Sequence, residues 1–151
     1  MVTREDVYAK FGLTAEAAQL FETELGTMLL AREGEERGWH FNADPQAAKF
    51  YEELNRKTLG EILKSLKEYL DLDDEVDELF KEALGARNSL NHGFFERHDF
   101  AIYSDVGRAA MMVDLETMHV RLAAAYDVAQ PAALQLVGRI HAARAGEGSK
   151  R

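Results

Sequence analysis

The chain is 151 residues long, carries 27 Asp/Glu against 18 Lys/Arg for a formal net charge of −9, and contains no cysteine. That length suits one domain able to bury its own core, and the missing thiols exclude disulfides, thiolate zinc sites, iron–sulfur clusters and cysteine nucleophiles. Coating a polynucleotide runs on counterion release by many basic side chains, so an acidic chain can make only local contacts with one.

Prolines stand only at Pro45 and Pro131, no stretch alternates at period two, and Ala, Leu, Glu and Lys abound. The expectation is an all-α fold. Thr3 with Asp6 resembles a capping box and opens a short helix that ends near Gly12. Thr14 reads as the cap of a second helix, with Leu13, Ala17, Leu20, Phe21, Leu25, Met28 and Leu29 on one face. The stretch GEERGWHFNAD is the longest irregular piece; His40 within it has no second ligand at metal spacing. Asp44-Pro45 restarts the chain as N-cap and first-turn proline of a long third helix. Its apolar stripe is Leu59, Ile62, Leu63, Leu66, Tyr69 and Leu70.

The acidic run DLDD makes a turn and complements the N-terminus of a fourth helix. That helix carries Val76, Leu79, Phe80, Ala83 and Leu84, with Gly93 as its stop. Ser104 caps a fifth helix holding Met111, Leu115, Met118, Leu122 and Tyr126. Pro131 begins a sixth with Leu134, Val137 and Ile140. Together these read as an antiparallel four-helix bundle core with additional short helices. One domain covers residues 1–146, and residues 147–151 form a disordered tail. The N-terminus lacks the apolar segment of a signal peptide, and no apolar run reaches the roughly 20 residues of a spanning helix. A cytoplasmic setting without membrane contact is expected.

The fourth helix breaks its own pattern. Stepping by threes and fours from Val76, Phe80 and Ala83 leads to Arg87 and then Leu90, so an arginine lands on the apolar stripe. Leu84 leads to Asn88 and Asn88 to His92, while Arg87 leads to Asn91. Two readings stay open: a helix end turning polar as it leaves the core, or a cleft whose guanidinium and imidazole face an anion.

The string ALGARNSLNHGFF, from Ala83 to Phe95, resembles the signature of the HEPN superfamily (higher eukaryote and prokaryote nucleotide-binding domains). In that signature an arginine, often followed by a polar residue, precedes a histidine by four to six intervening residues; Arg87, Asn88 and His92 occupy those places. The resemblance implies a metal-independent endoribonuclease of toxin or RNA-processing type, without cofactor, acting as a homodimer on RNA. Arg87 and His92 would be catalytic, with Asn88 and Asn91 in support. His92 would move a proton at the ribose 2′-hydroxyl or the leaving oxygen, and Arg87 would hold the scissile phosphate. Relatives of this fold also include non-catalytic helical docking modules, some paired with a nucleotidyltransferase that acts as antitoxin. The net charge of −9 favours that second role. Arg87 and His92 are five residues apart, about 140° around an ideal helix, so they meet one phosphate only if the helix distorts near Asn91 or a partner completes the site.

Of the other histidines, His119 is expected in the core between Leu115 and Leu122, and His98, beside Arg97, is expected in solvent. Met111, Met112 and Met118 read as core filler, and the acidic run from Asp71 to Glu78 as a solvated cap, lacking the glycine and terminal glutamate of a calcium loop.

Overall fold

Each of the five long helices opens on a side chain that accepts from the first backbone amides, the groups a helix cannot satisfy by itself. Thr3 and Asp6 exchange hydrogen bonds ahead of α1 (Arg4–Arg37). Asp44 accepts from Gln46 ahead of α2 (Pro45–Asn55). Thr58 and Glu61 form a full capping box before α3 (Leu59–Tyr69). Asp73 accepts from Val76 at the head of α4 (Asp74–Asn91). A five-residue helix, α5 (Phe94–His98), and a 3-10 turn over Asp99–Tyr103 lead to Ser104, which accepts from Gly107 at the head of α6 (Asp105–Gly148). The computed structural model describes residues 1–39 and 44–149, and no strand occurs among them; His40 lies outside these residues. The fold is an all-α bundle, and no helix of the described residues is long and apolar enough to cross a membrane.

Three expected boundaries fall elsewhere. The first and second expected helices are one. Thr14 does not cap; it is fully buried and turns its hydroxyl to the carbonyl of Lys10, 2.8 Å away, inside the helix. Val7, Thr14, Ala18 and Phe21 make one continuous buried stripe, and that burial carries the helix through Gly12. The expected third helix is two, because the capping box at Thr58 satisfies a fresh N-terminus and lets Leu59, Ile62, Leu63 and Leu66 be buried together. The expected fifth and sixth helices are again one. Pro131 is exposed and takes from α6 its amide bond and sets its ring against the preceding turn, yet buried Leu122, Ala125, Ala129, Ala133 and Leu136 run past it at helical spacing and carry the helix through.

The chain divides into two units. The first comprises Met1–Phe21 and Asp73–Asp127. In it Tyr8 and Phe11 pack on Phe95, and Phe21 packs on Phe80, so α4 runs antiparallel to α1. Arg108 donates to the carbonyl of Val2 at 2.6 Å and Lys10 pairs with Glu116, so α1 and α6 lie side by side in the same direction. Gly107 permits the 3-10 turn to lie against α6, since a Cβ there would stand 2.1 Å from the Ala101 carbonyl oxygen. The second unit comprises Glu22–Leu72 and Val128–Arg151. Its core is built by Leu25, Met28, Leu29, Leu54, Leu63, Leu66, Ala133 and Leu136, with Trp39 packed on Phe50.

Candidate functional site at the end of α4

The inward stripe of α4 is Phe80, Ala83, Ala86 and Leu90. Arg87 therefore stands at the edge of the core rather than within it, half-buried, with its Nε shielded from solvent. Its Nη1 donates to Oδ1 of Asn88 at 3.3 Å. Asn88 and Asn91 are exposed, Asn91 being the last residue of the helix.

His92 is the C-cap. Its amide still donates to the Asn88 carbonyl at 2.9 Å, but its backbone, at φ −107° and ψ 75°, has left the helix. The angular separation of an ideal helix thus no longer fixes where the exposed imidazole lies relative to the guanidinium. Gly93 follows at φ 90°, a left-handed conformation that glycine adopts without the Cβ penalty other residues meet there. Asn88 is the shared partner: its side chain receives Arg87 and its carbonyl receives the backbone of His92.

Beyond the corner, the chain folds back and is pinned. Phe94 is buried and its ring lies 4.7 Å from that of His98. Arg97 donates from Nη1 to the Ser89 carbonyl on α4 at 2.7 Å and stands 3.7 Å from Asp114 on α6. His98 is not in solvent as expected: 2.8 Å separates its Nε2 from Oδ2 of Asp114. Ser89, Arg97, Asp114 and His98 therefore close a polar clamp around the exit of α4. Asp114 carried no local signal, because its partners lie 16 and 17 positions earlier in the chain.

His119 is half-buried rather than in the core, in a groove between α1 and α6, with Nδ1 shielded and no hydrogen-bond partner. Met111 and Met118 are buried as filler, and Asp73 caps α4. Among the described residues no three His, Asp or Glu side chains gather where they could hold a metal ion.

No family model, curated protein or solved structure matches this chain.

Proposed function

We propose that the end of α4 is an RNA-cleaving site of the HEPN type, in which Arg87 binds the scissile phosphate and His92 moves the proton. The observation that carries this reading is the pairing of a half-buried guanidinium, oriented by Asn88, with an exposed histidine on the turn that immediately leaves the same helix. A guanidinium presents a fork of donors matched to two phosphate oxygens. An imidazole is the side chain suited to taking and returning a proton in such a step. In the step itself the ribose 2′-oxygen attacks phosphorus while its proton passes to a base, and the 5′-oxygen leaves with a proton. The products are a 2′,3′-cyclic phosphate and a 5′-hydroxyl, and no external nucleophile is consumed. Arg87 stabilises the charge that grows on the phosphorane oxygens.

The net charge of −9 favours a second reading, a helical docking module that pairs with itself or with a nucleotidyltransferase-type antitoxin. Incubation of the purified chain with end-labelled RNA in the presence of a chelator separates the two. Cleavage to cyclic-phosphate ends is expected, falling by roughly 100-fold or more in His92→Ala and in Arg87→Ala. His92→Ala should keep the wild-type melting temperature, since its side chain is exposed. A wild-type chain that leaves single-stranded and structured RNA intact would sink the nuclease reading in favour of the docking module.

A further inference from the structure

The 3-10 turn Asp99–Tyr103 buries none of its residues, although Phe100, Ala101, Ile102 and Tyr103 are all apolar or aromatic. Phe100 is 73% exposed and Tyr103 64%. Aromatic rings are the side chains that add most to a core when buried, and the first unit leaves these two outside its own. Asp99 enters the turn at φ 45°, a backbone conformation that residues with a Cβ rarely adopt. A strained turn thus holds the rings in solvent.

Other flat groups continue the line. The Phe100 and Tyr103 rings lie 6.3 Å apart, and the Arg4 guanidinium covers the Tyr103 ring at 4.6 Å. One turn further along the same face of α1 stands exposed Tyr8. Its ring is 6.1 Å from that of exposed Phe95, which follows His92 by three residues. Phe100, Tyr103, Arg4, Tyr8 and Phe95 therefore form one row within the first unit, and the row leads to the end of α4.

We propose that this row is a stacking platform for unpaired nucleotides of RNA. The choice of RNA as ligand rests on the cleavage reading above, whereas the row itself does not. Every base has a π-face, and aromatic rings and guanidinium planes bind that face with little regard to sequence. Paired bases hide those faces inside the duplex, so a duplex cannot use the row. Charge points the same way. Exposed Glu5, Glu96 and Asp99 are the chain neighbours of Arg4, Phe95 and Phe100, which makes the row a poor track for phosphates. An acidic chain can still hold a nucleic acid through its bases. At one base per flat group, the row takes roughly four or five nucleotides.

Anisotropy of a labelled RNA single strand of about 12 nucleotides, titrated with the full chain carrying His92→Ala, tests this. A dissociation constant of ~10–100 µM is expected, with a duplex of the same length bound at least ~10-fold more weakly. Phe100→Ala with Tyr103→Ala should raise the single-strand constant ~10-fold or more, while the melting temperature holds because both rings are exposed. Phe100→Tyr should bind as its parent does. Phe100→Leu, apolar but without a flat face, should weaken binding as much as Phe100→Ala, which separates stacking from apolar contact. Alanine variants that bind as tightly as their parent overturn the platform and leave the cleavage reading standing. Ring-dependent binding by a chain that cuts no RNA supports the platform and sinks the cleavage reading alone. Equal binding of the duplex overturns the platform too. So does a single strand left unbound at ~500 µM protein, a result that assigns the exposed rings to a protein partner.

Discussion

A carboxylate with only 4% of its surface exposed, as at Glu33, must be held by donors or lose its charge. In the second unit Arg37 donates to Oε2 at 2.8 Å, and the Tyr69 hydroxyl donates to Oε1. The bond to Glu33, more than burial, raises the Tyr69 pKa above its usual 10.0. The protonated phenol is thus the form the folded state prefers, so its contribution is complete below pH 10 and drains as pH rises through the raised value. Tyr69→Phe should cost about 1–3 kcal/mol in urea unfolding at neutral pH, the cost of a buried acceptor left short of a donor. The gap between wild type and variant should hold steady up to pH 10 and narrow above it. A gap unchanged at higher pH would detach Tyr69 from Glu33. His92 sits at the opposite extreme. It is exposed, so losing its ring removes chemistry and little packing, and this contrast is what lets a structural polar residue be told from a functional one.

At the scale of elements, the corner between α4 and α5 depends on contacts from beyond its own sequence. α5 has five residues, too few to be stable alone, and it runs between Gly93 at φ 90° and Asp99 at φ 45°, the second being a conformation that residues with a Cβ rarely adopt. What holds it is buried Phe94 and the clamp through Asp114. Asp114→Asn should therefore speed amide exchange in α5 about tenfold while leaving the amides of α2 and α3 unchanged; uniform change, or none, would show that the clamp is not what holds the corner. The reach of sequence reasoning has the same physical limit. The ends of α4 were legible because Asp73 and Gly93 act within one turn of where they stand, and so was the cap at Ser104. Thr14 and Pro131 misled because a continuous buried stripe outweighs a local stop signal, and Thr58 was passed over although its partner Glu61 lies only three residues on. Arg87, Asn88 and His92 are covalent near-neighbours and could be read together; Asp114 meets His98 only after folding.

Over the molecule as a whole, charge decides how RNA can be met. The residues up to Ala86 carry 10 Lys/Arg against 20 Asp/Glu, and those from Arg87 onward carry 8 against 7. The candidate site thus opens the near-neutral part of the chain, while the protein's total field repels a polyanion at a distance. Under the proposed function Arg87 offers one phosphate contact per copy, Arg97 being engaged by Ser89 and Asp114, so single-stranded RNA binding should weaken with a log–log salt slope of only about −1 to −2. Added salt also screens the long-range repulsion, within a Debye length of about 10 Å at 0.1 M, and this flattens the slope further. Fluorescence anisotropy with His92→Ala, which binds without cutting, measures it directly. A slope steeper than about −5 would require a basic surface that this composition does not contain, and binding would then have to be assigned away from the end of α4.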